Sequence, residues 1–142
     1  MPDEPTNADL VALTQAFCRA GGGVEDEMSF YGPDPVYDVS PIGQGIYCGR
    51  AAIRRFLEGW MSSFEGYKEE AEEIVDFGNG VVFAAVRESG RPTGSAVDQT
   101  THSTFGFVIV WKDGKIARMT AYKGDALDEA RAAAERLAEE RG

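Results

Sequence analysis

FGFVIVWKDGKIARMTAYK, residues 105–123, decides the fold. Two apolar runs flank Asp113-Gly114, a dipeptide that accepts positive φ at a tight turn, so the stretch reads as an antiparallel hairpin. The remaining strands and helices must pack onto it. Upstream, residues 67–77 and 81–86 flank Asn79-Gly80 in the same way and predict a second hairpin, although KEEAEEIV has helical propensity. Its acidic arm belongs at a sheet edge, where Glu69, Glu70, Glu72 and Glu73 would discourage pairing with another chain. A Gly/Pro/Ser-rich loop over residues 89–95 leads into a strand spanning about 99–111, within which Gly106 suggests a bulge. Downstream, Gly124 and Asp125 break and cap a last helix whose stripe of Leu127, Ala130, Ala134 and Leu137 is narrow, so fraying is expected after Leu137.

The N-terminal half is helical and then extended. Thr6 or Asn7 caps a helix in which Leu10, Leu13, Phe17 and Ala20 recur at helical spacing, and three glycines at 21–23 end it. Residues 24–31 allow two more turns before Pro33 and Pro35 forbid continuation. Residues 36–40 alternate as a short strand, with Val36, Asp38 and Ser40 on one face and Tyr37 and Val39 on the other. Pro41 and several glycines make a loop, and Arg50 opens the longest amphipathic helix. Its stripe of Ile53, Phe56, Leu57, Trp60 and Phe64 must face the sheet. Helices segregated from antiparallel strands in this order define an α+β fold, a curved sheet wrapped over helices.

Composition narrows the function. The 142 residues, 43% of them hydrophobic, suffice for one core, so residues 1–142 read as a single domain with 1–6 and 138–142 frayed. A net charge of −10 repels phosphate backbones and anionic lipid, so neither nucleic acid nor membrane is an expected partner. No apolar run approaches membrane length and the acidic start is unlike a signal peptide, so the expected location is cytoplasmic. Cys18 and Cys48 lack CxxC spacing and the chain has one histidine, so they read as free thiols, and no metal is expected.

With these elements placed, the chain resembles the cone-shaped α+β fold shared by nuclear transport factor two, ketosteroid isomerases and SnoaL-like polyketide cyclases. The likeness rests on Phe30-Tyr31, Val39-Ser40-Pro41-Ile42-Gly43, Gly49-Arg50-Ala51-Ala52-Ile53, and Asp113-Gly114-Lys115-Ile116 through Ala121-Tyr122. It implies a deep apolar pocket between the long helix and the concave sheet face, no cofactor, and a homodimer formed through the convex face. Where ketosteroid isomerases carry their base, tyrosine and second acid, this chain has Ser40, Phe17 or a neighbour, and Phe107, none of which supplies that chemistry alone. The aspartate of limonene-epoxide-hydrolase-like members is replaced by Ala121; Tyr31 alone matches a pocket tyrosine.

Strand parity then sorts the hairpin: if Phe107 faces the cone, so do Ser103, Phe105, Ile109, Met119, Ala121 and Lys123. Asp38 is the expected acid/base residue, because a carboxylate in an apolar pocket holds its proton to higher pH. Tyr31 would polarise a carbonyl, and His102 could pair with Asp38 if a bulge at Gly106 turned it inward. Phe17, Ser40, Tyr47, Trp60, Phe64, Phe105, Phe107, Ile109 and Met119 are expected around a small hydrophobic ligand, with Lys123 at the mouth. Two functions remain open: cofactor-free cyclisation, isomerisation or dehydration of a polycyclic or polyketide-like substrate, and ligand binding or dimeric interaction without catalysis.

Overall fold

The computed structural model describes residues 7–94 and 100–142. In chain order it has α1 (Asn7–Arg19), α2 (Val24–Met28), β1 (Tyr31–Asp38), β2 (Ile46–Cys48), α3 (Arg50–Ser62), β3 (Phe64–Gly78), β4 (Val81–Pro92), β5 (Thr101–Lys112), β6 (Lys115–Lys123) and α4 (Leu127–Arg141). This is the expected α+β fold, with one addition: β2, inside the stretch read as a loop, pairs antiparallel with β1. The expected cap at Thr6, the end of the loop at Ser95 and the strand start at Gln99 lie outside the described residues, as do residues 1–6.

The six strands form one sheet in the order β2-β1-β6-β5-β4-β3. Both turns foreseen from dipeptides are left-handed at two successive residues: Asn79 and Gly80 have φ of 57° and 82°, and Asp113 and Gly114 have 53° and 76°. That conformation matches the twist of the flanking strands, which is why asparagine or aspartate followed by glycine stands there. Long β3 lies at the sheet edge, as its charge suggested, whereas β1 lies second from the opposite edge, antiparallel to β2 and parallel to β6.

Pleating gives the sheet two apolar faces. Val82, Ala84, Val86, Phe107, Ile109, Met119 and Ala121 face inward onto α1 and α3, while Val81, Phe83, Ala85, Val108 and Val110 face outward beneath Ala130, Ala134 and Ala138 of α4. Burying each large side chain contributes about 1.5–3 kcal/mol, so both layers matter to stability. The Trp111 indole donates to Thr14 Oγ1 at 3.1 Å and the Thr14 hydroxyl donates to Leu10 O at 2.8 Å, a buried chain that seats α1 against the hairpin.

Two expectations need correction. Gly106 marks no bulge, because its pairings with Ala85 and Tyr122 are in regular register; the irregularity lies between Val110 and Trp111. Glycine is needed there for α4, since a Cβ would stand 2.9 Å from Leu127 Cδ2 and 3.2 Å from Ala130 Cβ. The last helix does not end at Leu137 but runs to Arg141: Ala138 is buried, Asn79 Nδ2 donates to its carbonyl at 2.6 Å, and Arg141 Nε donates to Asn79 O at 3.0 Å. On the outer face, α4 covers β4 and β5, with Tyr122 of β6 packed at its margin and Arg118 exposed.

Gly106→Val therefore pushes α4 off the sheet. The expected loss of stability is about 2 kcal/mol, the usual size of an overpacking penalty, read as a lower urea midpoint. An unchanged midpoint would mean that α4 packs elsewhere.

Candidate active site in the cone

Inside the cone, apolar walls from Phe17, Tyr37, Phe56, Trp60, Phe105, Phe107 and Met119 surround a cluster of acids: Glu27, Glu69 and Glu88. Each reaches the interior for a local reason. On β4, Val82, Ala84, Val86 and Glu88 share the inward face by simple alternation. On β3, Tyr67, Glu69 and Ala71 do the same, after an irregularity between Glu65 and Lys68 that coincides with Gly66 at φ 65°. The short α2 carries Glu27, only 3% exposed. Gly21 is the fourth requirement, because a Cβ there would collide with the Glu69 carboxyl.

Glu69 and Glu88 are direct cross-strand partners in the β3–β4 register. Two carboxylates in that relation repel unless a proton lies between them. Tyr67 Oη donates to Glu69 Oε2 at 2.7 Å, and the Trp60 indole N–H is shared between Tyr67 Oη and Glu88 Oε1, each at 3.2 Å. Two neutral donors thus hold the pair in place, with no arginine or lysine among the residues lining the cavity.

Electrostatics follow from this arrangement. Burial, then the Glu88 charge, raises the Glu69 carboxyl to about 8. Burial also raises Glu88, while hydrogen bonds from Tyr67 and Trp60 work the other way. Glu27 is pushed well above the ordinary carboxylate range by burial and by the charges of Glu69 and Glu88. Tyr31, 2% exposed and packed edge-on against Phe17, has a hydroxyl that faces Glu27 without a hydrogen bond of good geometry; burial and that carboxyl raise it strongly. Cys18 is raised to about 12 by burial and by the same three acids, which makes it a poor nucleophile, whereas Cys48 is exposed. Among the described residues, no group of three His, Cys, Asp or Glu stands in metal-holding geometry.

The cavity is narrow: the space open to the centre of a water molecule is about 20 Å³, room for roughly one or two waters. Across Trp60, Tyr67, Glu88 and Phe105 it adjoins a recess of about 60 Å³, which Phe64 and Ser103 also line.

Several residues expected at the site are found there: Phe17, Trp60, Phe105, Phe107, Ile109 and Met119 line the cavity, and Phe64 the recess. Others are placed differently. Asp38 faces away from the cone because its neighbours Tyr37 and Val39 take the buried face of β1. Its Oδ1 accepts from the Ser40 amide at 3.0 Å and the Ser40 hydroxyl at 2.6 Å, and its Oδ2 lies 3.4 Å from Arg118 Nη2. Asp38 and Ser40 therefore close a turn. His102 lies exposed in a separate groove with Lys68, Glu69, Glu70, Arg87 and Ser89, and no bulge turns it into the cavity. Lys123 is exposed, and the Tyr47 hydroxyl donates to Gln44 O at 2.7 Å while its ring packs on Phe56. Of the four glutamates read as edge charges, Glu70, Glu72 and Glu73 are exposed, but Glu69 turns inward.

A half-barrel of this topology closed by α1 and α3 is the architecture of SnoaL-like proteins, and the family model described as a SnoaL-like domain matches residues 14–119. The chain belongs to that family. No curated protein matches it. Among solved structures it is similar to a candidate polyketide cyclase from Xanthomonas campestris pv. campestris, with 27% identity over 91% of this chain and 99% of that one and a TM-score of 0.66. It also shares its fold with AclR, a candidate hydroxylase from Streptomyces galilaeus, at 15% identity, 90% and 98% coverage and a TM-score of 0.71. A protein of ketosteroid isomerase-like fold from Catenulispora acidiphila, solved with trimethylamine, is 14% identical over 78% and 83% of the two chains, with a TM-score of 0.68.

The raised Glu69 carboxyl makes stability depend on pH. A carboxyl whose folded pKa exceeds its unfolded value adds stability below the unfolded value and loses it as pH rises through the folded one. The stability of the wild type relative to Glu69→Gln is thus expected to fall between about pH 4.5 and about pH 8. Urea titrations of both proteins across that window test it; parallel curves would show that Glu69 ionises freely.

Proposed function

We propose that this SnoaL-like protein binds a small hydrophobic carbonyl compound in the cone and moves a proton on it without a cofactor. The observation that carries the proposal is the Glu69–Glu88 pair, opposed across two strands inside an apolar cavity and fixed by Tyr67 and Trp60. Two acids sharing one proton form a unit that both donates and accepts near neutrality, which suits general acid/base work. In such a step the pair takes a proton from the carbon beside the carbonyl, the C–H electrons pass to the carbonyl oxygen, and the proton returns to another atom. Cyclisation, isomerisation and dehydration all begin this way, and the likeness to a candidate polyketide cyclase supports a substrate of polyketide type.

A second function, ligand binding without turnover, draws support from the narrowness of the cavity, which admits a polycyclic molecule only if α3 or its Trp60 moves outward.

Exchange of α-protons in D2O, followed by NMR on cyclopentanone and 2-tetralone, separates the two. Acid/base catalysis is expected to accelerate exchange, with Glu69→Gln and Glu88→Gln each slowing it by at least about tenfold. Binding of either ketone without acceleration would leave only the binding function. Neither binding nor exchange would end both.

A further inference from the structure

We infer that the ligand of the cone presents a basic nitrogen to the acid cluster: an amine, or a carbonyl compound bearing one. The inference rests on the reading of the cone as a ligand pocket and names the class of molecule it takes. Elsewhere three acids have a cation beside them: Glu25 has Arg54, Glu73 has Arg131 and Asp38 has Arg118. Inside the cone, Glu27, Glu69 and Glu88 converge with no arginine, lysine or histidine among the lining residues. The missing positive charge is the complement that a ligand can bring.

Two independent features point the same way. Buried behind Glu27, the Tyr31 hydroxyl has no hydrogen bond of good geometry and faces that carboxyl, so it stands ready to donate to the Glu27 carboxylate once an incoming N–H has favoured its ionised form. The cavity wall is aromatic where it is not acidic. The Trp60 indole edge is committed to Glu88 and Tyr67, while its ring lies beside Phe56, with centroids 6.2 Å apart, and beside Phe105, at 6.1 Å. Ring faces and carboxylates together form the chemistry that recognises organic cations. The same surroundings oppose a carboxylate or phosphate, whose charge would meet three acids in a site screened from water.

Arrival of an ammonium favours ionised carboxyls, so binding is expected to release protons. The groups that face one another across this interior are Cys18 of α1, Glu27 of α2, Tyr31 and Tyr37 of β1, Tyr67 and Glu69 of β3, and Glu88 of β4. The acids among them are the source of those protons.

Isobutylamine, isobutanol and isobutyrate share a branched alkyl group and differ in charge, and each is small enough for the cavity and recess together. Their binding is read from the indole N–H resonance of Trp60, assigned by its loss in Trp60→Phe. The amine is expected to bind at least about tenfold more tightly than the alcohol, and isobutyrate to leave the resonance in place. Glu27→Gln is expected to narrow the gap between amine and alcohol. Equal affinity for amine and alcohol would overturn the inference and leave the pocket standing. Failure of all three to move the Trp60 signal would overturn both. The wild-type comparison decides the matter even if a variant does not fold.

Discussion

Everything in this protein depends on the pairing of β5 with β6, because that ladder fixes which side of the sheet is hollow. With Phe107 opposite Ala121 and Ile109 opposite Met119, four inward side chains on the two central strands set the floor of the cone. A slip of one residue would turn Gly106, Val108, Thr120 and Tyr122 inward and leave α3 nothing to cover. The left-handed Asp113-Gly114 turn helps prevent that slip, and α4 reinforces it from outside by seating Ala130 against Gly106.

Much of this frame was legible in the sequence. Dipeptide turns located both long hairpins, and alternation from Phe107 correctly sorted the interior of β5 and most of β6. Four residues of the expected stripe, Ile53, Phe56, Leu57 and Trp60, located α3 as the roof, whereas Phe64 lies past its end and opens β3. β2 escaped notice because Ile46-Tyr47-Cys48 is only three residues long and flanked by glycines, too short a run to show alternation; its pairing with β1 is set by the chain reversal between them. The fraying expected of α4 was a matter of counting alanines. Alanine buries little area, but it allows the helix to approach closely enough for Asn79 and Arg141 to tie down its end.

The acid cluster was harder to read, though a signal existed. Tyr67, Glu69 and Ala71 alternate with charged residues, and Val82, Ala84, Val86 and Glu88 alternate along the next strand, so each glutamate continues an apolar face. The run KEEAEEIV concealed this, because an abundance of surface charge made every glutamate look solvated. Asp38 drew attention instead because it shares a strand face with Ser40 and was expected inside the cone, yet the larger apolar gain lies with Tyr37 and Val39, and their burial sends Asp38 outward to Ser40 and Arg118. Which of two alternating faces is buried depends on the neighbours across the sheet, and those are not written in the strand itself.

The two cysteines give the protein an internal gauge. Cys48 stands on the surface at the end of β2, whereas Cys18 sits in the wall of the cone, its thiol kept protonated by burial and by the acids around it. A thiol so buried reacts with an alkylating reagent only when the packing around it opens and water enters. The ratio of the two labelling rates therefore counts how often the cone breathes, and a molecule lodged inside would slow the inner thiol while leaving the outer one untouched.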